Sequence, residues 1–466
     1  MSRITSIVTD ITSGKKTARQ YVEEVFRKAA EHESYHVFLS LTQERALERA
    51  DDVDARIQKG EELGPLAGVP FVAKDNFLAF GAPTTAASKM LEKFEAPLQA
   101  TAIEKLEAAG AICIGKTNLD AFAHGGSTEN SAFGPTKNAY DQTKVAGGSS
   151  GGSAVATALE VVPFALGTDT GGSIREPASF NGVVGVKPTY GTVSRYGVVA
   201  MASSTDTIGC FTNEAADAEL VMSVMSGRDA RDMTTLPDFF KVQDAKPHQK
   251  IGVLKEYMSD DVDAEVRARV TEYIERLKAA GHEVEEVSLP MIKYALPMYY
   301  IIVPAEISSN LARYDGVRYG HRAGNAKTLA ELYGQTRNEG FVTENKRRIM
   351  IGSYVLSSGF FDAYYLQAQK ARTLLVKEYD KLFETYDALV GPTAPTPAFG
   401  LGENTADPVK MYLADIMTVA PSLAGIPAIN VPAGKTSTGL PVGVQLMGQR
   451  KSDAALLALA RSMEAN

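Results

Sequence analysis

The sequence predicts an α/β protein: a large mixed, mainly parallel sheet covered by helices on both faces. Three observations carry that expectation. Short apolar runs (VPFVA, AICIG, VVPFALG, GVVGV) recur between Gly68 and about Gly209, with helix-like pieces such as TAIEKLEAAG and SAVATALE between them. Buried strands alternating with short helices imply a sheet with a substantial parallel component. The same strand texture returns between Tyr386 and Gln449, in YDALVGPTAP, PAINVPAG and PVGVQLMGQ. No linker, internal repeat or low-complexity tract separates the two glycine-rich stretches, so both are expected to share one sheet within a single domain covering residues 1–466.

Residues 1–60 read as helical and polar. Thr17-Ala-Arg-Gln20 has the form of a capping box, and the helix it opens carries Tyr21, Val25 and Phe26 at helical spacing. A second helix is expected from Gln43 to Lys59. From about 215 to 385 charge returns, and this stretch reads as a helix-rich insertion within the same domain. In it KIGVLKEY is a strand, VRARVTEYIERLKAAG a helix ended by its glycine, and HEVEEVSLP an alternating strand. A long helix is expected from about Lys346 to Phe383, and another closes the chain.

Composition narrows the function. The 466 residues are 44% apolar and 22% charged, with 40 Gly, 21 Pro and no Trp, as in a soluble globular protein with room for a large core. Net charge is −8, which argues against this chain gripping nucleic acid by itself, because phosphate neutralisation needs a clustered basic surface. The two cysteines, Cys113 and Cys210, stand in apolar surroundings and are expected to be buried free thiols of a reducing compartment. The N-terminus lacks the apolar core of a secretory signal, and no apolar run is long enough for a membrane span. A cytoplasmic protein is expected.

Two motifs are decoys. Gly110-Ala-Ile-Cys-Ile-Gly115-Lys116-Thr117 fits the phosphate-loop pattern letter for letter. That loop works only between a strand and a following helix, whose N-terminal N–H groups cradle phosphate. Here the four middle residues are themselves a strand after a helix, so the context is inverted. Gly147-Gly-Ser149-Ser-Gly151 fits the nucleophile elbow G-x-S-x-G, which requires a downstream acid and then a histidine. None of the six histidines stands in a turn suited to a base, and none pairs with Cys or Asp at metal-ligand spacing.

The third constellation is the informative one. Lys74 ends a short apolar strand in Gly68-Val-Pro-Phe-Val-Ala-Lys-Asp-Asn76. Two Gly-Ser turns follow, each opening a helix: Gly147-Gly-Ser149-Ser-Gly-Gly-Ser153 and Gly167-Thr-Asp-Thr-Gly-Gly-Ser173-Ile-Arg175. Together they suggest a serine nucleophile activated without histidine. A serine hydroxyl needs a base to take its proton. A lysine serves if burial brings its pKa toward neutrality, and a second serine relays the proton where the lysine cannot reach. Glycines before Ser173 let backbone N–H groups turn toward a carbonyl oxygen.

These three motifs resemble the amidase signature family. The resemblance implies that family's fold, with Ser173 as nucleophile, Ser149 as a serine in a cis peptide relaying the proton, Lys74 as base, and an oxyanion hole around Thr170, Gly171 and Gly172. Further segments are similar to the glutaminase (A) subunits of tRNA-dependent amidotransferases: Gly126–Gly134, Lys187–Tyr196, Lys346-Arg-Arg-Ile349, Gly359–Tyr365, Gly391–Pro395 and Asp407–Asp415. That resemblance covers nearly the whole chain. It implies glutamine hydrolysis to glutamate and ammonia, with the ammonia passed to a partner that amidates Glu-tRNA(Gln) or Asp-tRNA(Asn), the activity of a glutamine-hydrolysing carbon–nitrogen ligase. It also implies partner subunits B and C, no cofactor in this chain, and ATP and magnesium on the partner. Tyr299, Arg348 and Asp415 match the residues that hold glutamine in that family, the guanidinium suiting the α-carboxylate and the aspartate the α-ammonium. The alternative is a stand-alone amidase of the same fold acting on another small amide. A nucleotide-binding protein using Gly110–Thr117 is the rival from another class. Two positions depart from the family: His124 stands where Met is usual and Glu176 where Gln is usual. Neither is expected to touch the triad.

Overall fold

The computed structural model describes residues 1–464. Eleven strands form one sheet: β1 (Phe38–Leu41), β2 (Pro70–Lys74), β3 (Ile112–Thr117), β4 (Phe164–Asp169), β5 (Val184–Lys187), β6 (Thr207–Thr212), β7 (Lys250–Leu254), β8 (Glu283–Val287), β9 (Ala388–Pro392), β10 (Ala428–Lys435) and β11 (Pro441–Gly448). Their spatial order is β1-β3-β2-β4-β6-β5-β10-β11-β9-β7-β8. The two glycine-rich stretches meet where β5 pairs with β10, so both lie in the same sheet, as the texture predicts.

Every residue of β2, β3, β4, β5, β6, β9 and β11 is buried. Successive strand side chains point to opposite faces, so a strand buried throughout is covered on both sides. The sheet is mixed as expected, with four of its ten neighbouring strand pairs parallel, fewer than the apolar runs suggest. Parallel pairing is confined to β3-β2-β4 on one side and β9-β7-β8 on the other. The strands between are antiparallel. An apolar run reports burial on both faces, not strand direction. Phe71 and Phe164 stack across β2 and β4 with ring centroids 5.1 Å apart, fixing that pair beneath the site.

Local sequence explains most helix ends. Thr17 and Gln20 form the expected reciprocal capping box at the start of the helix Ala18–Glu31. The helix Gln43–Gln58 lies where its periodicity places it, and Ala264–Ala279 stops before Gly281, whose φ of +90° ends it. Two expectations are corrected. The helical first segment also contains β1, which pairs antiparallel with β3. The long helix expected from Lys346 to Phe383 is broken: Thr343–Val355 ends, the chain turns through Gly359 at φ +83°, and a wide turn over Phe361–Tyr365 leads into Leu366–Leu382. Ser357-Ser358-Gly359 is the local cause, since glycine adopts positive φ without a Cβ penalty. Both cysteines are buried and free. Among the described residues no helix is long and apolar enough to cross a membrane.

The phosphate-loop match is helix-to-strand punctuation. Gly110, at φ +95°, follows the helix Thr101–Ala108, and a Cβ there would fall 2.8 Å from the Ala67 backbone. Lys116 lies inside β3 with its ammonium buried on Asp75 at 2.6 Å.

Candidate active site

The expected site lies at the carboxyl ends of the parallel neighbours β2 and β4, the usual place for a site in an α/β sheet. Lys74 is the last residue of β2 and is completely buried. Its Nζ meets three hydroxyls: Ser149 Oγ at 2.7 Å, Ser150 Oγ at 2.8 Å and Thr168 Oγ1 at 2.9 Å. The nearest carboxylates act on it only through space. Burial pulls its pKa down to about 7, although Asp120, Asp169 and Asp206 favour the charged form. Hydroxyls both donate and accept, so this ring satisfies Lys74 as ammonium or as free amine.

The cis peptide falls between Gly148 and Ser149, where the resemblance puts it. Ser149 and Ser150 differ in how they are engaged. The Ser150 hydroxyl also donates to the Thr168 carbonyl at 3.2 Å, which fixes it as an anchor. Among the described residues the Ser149 hydroxyl has Lys74 as its one side-chain partner, leaving its proton free for a relay.

The loop that carries Ser173 continues from β4. Asp169 is its anchor: its carboxylate accepts the N–H groups of Gly172 (2.9 Å) and Ile174 (3.2 Å) and a two-point contact from Arg175 at 2.8 and 2.9 Å. Both charges are fully buried. Burial alone would push the Asp169 carboxyl up, but the Arg175 guanidinium outweighs it and holds it below the ordinary range. Gly172, at φ +145°, leaves no room for a Cβ, which would fall 2.2 Å from Thr418 Oγ1. Ser173 is 8% exposed where Lys74 and Ser149 are 0%, and its hydroxyl makes no hydrogen bond among the described residues. Of the three residues expected to form the triad, it is the one with an exposed side. The expected oxyanion hole is corrected at one position, because the Gly172 N–H already serves Asp169. The N–H groups of Gly171 and Ser173 meet no acceptor among the described residues.

The three residues expected to hold an amino acid converge from distant segments. Tyr299 packs on Gly171, where a Cβ would lie 2.6 Å from its hydroxyl. Thr418 donates to the Gly171 carbonyl at 2.6 Å and, at 3.0 Å, to that of Asp415, tying the Ser173 loop to the aspartate. Asp415 Oδ2 accepts the Tyr300 hydroxyl at 3.3 Å, and Oδ1 has no donor among the described residues. Burial raises the Asp415 carboxyl to about 7 against the pull of Arg348. The Arg348 guanidinium lies over the rings of Tyr300 and Tyr412, at 5.4 and 5.5 Å. Its Nε donates to Glu344 at 2.8 Å, while both outer nitrogens lack a protein acceptor among the described residues. A guanidinium edge and a carboxylate oxygen, both inside the molecule and both unpaired, suit the two charged groups of an amino acid.

The two departures differ in consequence. His124 is buried, with Nδ1 accepting from Asn345 at 2.7 Å; burial and nearby Arg348 push its pKa well below the ordinary value. Glu176 makes no hydrogen bond to Lys74, Ser149 or Ser173 among the described residues, but it stands next to them: its Oε2 accepts the Gly148 N–H at 2.8 Å, directly before Ser149. Burial and the charges of Asp415 and Asp120 drive its carboxyl well above the ordinary range. Sequence reasoning missed Ser150, Thr168, Asp169, Arg175, Tyr300, Glu344, Tyr412 and Thr418. Ser150, Thr168, Asp169 and Arg175 had a signal, lying inside the two turns that were singled out, and Tyr412 lay inside the Asp407–Asp415 segment that carries the resemblance.

The profile of the Amidase family matches residues 20–457. In Koribacter versatilis (strain Ellin345), the A subunit of glutamyl-tRNA(Gln) amidotransferase is 50% identical over 461 residues, covering 97% of this chain and 96% of its own. The crystal structure of the same kind of subunit from Thermotoga maritima is 43% identical and superposes with a TM-score of 0.75 over 87% of this chain and 85% of its own. Peptide amidase from Stenotrophomonas maltophilia, 28% identical, shares the fold with a TM-score of 0.82 over 99% of this chain and 96% of its own. The chain belongs to the amidase family and, within it, groups with the glutamyl-tRNA(Gln) amidotransferase A subunits.

Proposed function

We propose that this chain is the glutaminase subunit of a tRNA-dependent amidotransferase. The observation that carries the reading is the pairing of two ends: a lysine brought near neutrality among hydroxyls, and an arginine and aspartate whose outer atoms await partners. The first end activates a serine; the second selects an amide that carries both α-groups. Similarity to amidotransferase A subunits over nearly the full length supports glutamine as that amide.

In the reaction, Ser173 Oγ attacks the glutamine amide carbon. Its proton passes to Ser149 Oγ as the Ser149 proton passes to Lys74 Nζ, so the lysine ends as ammonium. The N–H groups of Thr170, Gly171 and Ser173 are the donors for the developing oxyanion, with Gly172, held by Asp169, shaping the loop that presents them. Collapse breaks the C–N bond, the proton returns through Ser149 to the leaving nitrogen, and ammonia departs from a γ-glutamyl ester on Ser173. Water then attacks the ester, its proton passing through Ser149 to Lys74; the bond between the acyl carbon and Ser173 Oγ breaks, the proton returns by the same route to Ser173 Oγ, and glutamate leaves.

The ammonia goes to partner subunits, the B and C of this family, which amidate Glu-tRNA(Gln) or Asp-tRNA(Asn). ATP and magnesium belong to the partner in this reading; what supports it is that Lys116, in the phosphate-loop match, is committed to Asp75. A net charge of −8 supports contact with tRNA through the partner, and a cytoplasmic setting belongs to the same proposal.

The test is ammonia release from glutamine, asparagine and a simple aliphatic amide, by the chain alone and with B and C subunits, ATP and Glu-tRNA(Gln). Glutamine-selective release that rises with partners and tRNA is expected. Release from the aliphatic amide by the lone chain, with glutamine ignored, would instead make it a stand-alone amidase.

A further inference from the structure

We infer that Glu344 is a positioning residue for the glutamine α-carboxylate, fixing the direction in which Arg348 presents its outer nitrogens. The inference rests on the proposed function and deepens it. Glu344 and Arg348 stand one turn apart on the helix Thr343–Val355. Glu344 is 6% exposed. Its Oε1 takes two donors, Arg348 Nε at 2.8 Å and the Tyr412 hydroxyl at 3.0 Å, and its Oε2 takes Arg347 Nη1. With Nε pinned, the planar guanidinium has only its outer edge left to offer.

The aromatic rings remove the remaining freedom. Tyr300 and Tyr412 stack with centroids 4.0 Å apart and planes 23° from parallel, and the guanidinium carbon lies over both. Tyr412 therefore reaches Arg348 twice, through its ring and, by its hydroxyl, through Glu344. Tyr300 extends the same assembly to Asp415, so one set of side chains orients both charged poles. The acid does not cancel the site's charge, because it is shared by Arg347 and Arg348 and leaves the cluster net positive toward a carboxylate.

The experiment compares kcat/KM for glutamine with that for 4-aminobutanamide, which is glutamine without its α-carboxylate, using the full chain with its partner subunits. Arg348→Ala should bring the ratio close to that of an enzyme blind to the carboxylate. Glu344→Gln should lower it by about tenfold, and Tyr412→Phe, which keeps the ring, by about threefold. A role in folding alone would depress both substrates together and leave the ratio fixed, which would overturn the inference. If Glu344→Gln does not fold, Tyr412→Phe gives the same reading, and a wild-type ratio there would equally refute it. A wild-type enzyme with no preference for glutamine would overturn the proposed function and this inference with it. Loss of the ratio in Arg348→Ala, without loss in Glu344→Gln or Tyr412→Phe, would overturn the inference alone.

Discussion

Lys74 and Lys116 come from neighbouring parallel strands, one residue out of register, and each is completely buried, yet they have opposite chemistry. Lys116 holds Asp75 at 2.6 Å and Thr84 at 3.1 Å, a charge neutralised where it stands. Lys74 meets only hydroxyls at such distances and is drawn to about 7. Lys187 sharpens the lesson. It is also buried and drawn to about 7, but among the described residues its side-chain nitrogen reaches only the Pro188 carbonyl, which has no proton to relay. Burial makes a lysine basic at neutral pH; its neighbours decide whether that basicity does chemistry.

The largest effect expected is at the serine that Lys74 serves. Ser173→Ala should cut ammonia release by roughly 10⁴-fold or more while the thermal midpoint stays near wild type, read by turnover and calorimetry. Wild-type turnover would remove the nucleophile. Lys74→Ala should be nearly as severe, at about 10³-fold or more, since it removes the proton acceptor. The pH dependence carries a sign. The Lys74 pKa is lowered on folding, so the folded protein sheds this proton first: kcat/KM should rise through a midpoint near 7 and level off above it, while this group's contribution to stability grows with pH from about 7 to the ordinary lysine value near 10.5. Activity that falls through neutrality as pH rises would contradict that.

Lys116→Met should register on stability instead. Removing one partner of a buried ion pair costs about 3–5 kcal/mol, because Asp75 is left charged and alone. Denaturant unfolding should show that loss, with turnover per folded molecule kept, and Asp75→Asn in the same chain should restore part of it. Loss of turnover without loss of stability would erase the contrast between the two lysines. The smallest effect is expected at Thr168→Val, which deletes one hydroxyl from the Lys74 ring. Rate should fall about tenfold. Losing an acceptor of the ammonium disfavours the charged form, so the acidic limb of kcat/KM should move to lower pH.

The same contrast shows what the sequence made legible. Lys74 ends an apolar strand, and Ser149 and Ser173 stand in two Gly-Ser turns that each open a helix, a combination readable from the residues, and the inverted context of Lys116 followed from the apolar residues before it. The capping box at Thr17 was local and readable. The pairing of Lys116 with Asp75 was not, although Asp75 is next to Lys74, because register between β2 and β3 is set by tertiary packing. The ring around Arg348 was also hidden: Tyr300, Glu344 and Tyr412 come from three separate helices, and a tyrosine or glutamate on a helix reads as ordinary surface. The antiparallel centre of the sheet left no mark in its apolar runs. Ser357-Ser358-Gly359 did mark the helix break, but the surrounding helical periodicity masked it.

Whether Lys74 is the base is tested most directly by its own titration, followed by NMR of ¹³Cε-labelled lysine, with Lys74→Met identifying the resonance and separating it from Lys187. The expected midpoint is close to 7 and coincides with the acidic limb of kcat/KM for glutamine. A Lys74 that stays protonated to the ordinary lysine value near 10.5, while the enzyme still turns over glutamine at pH 7, would contradict it.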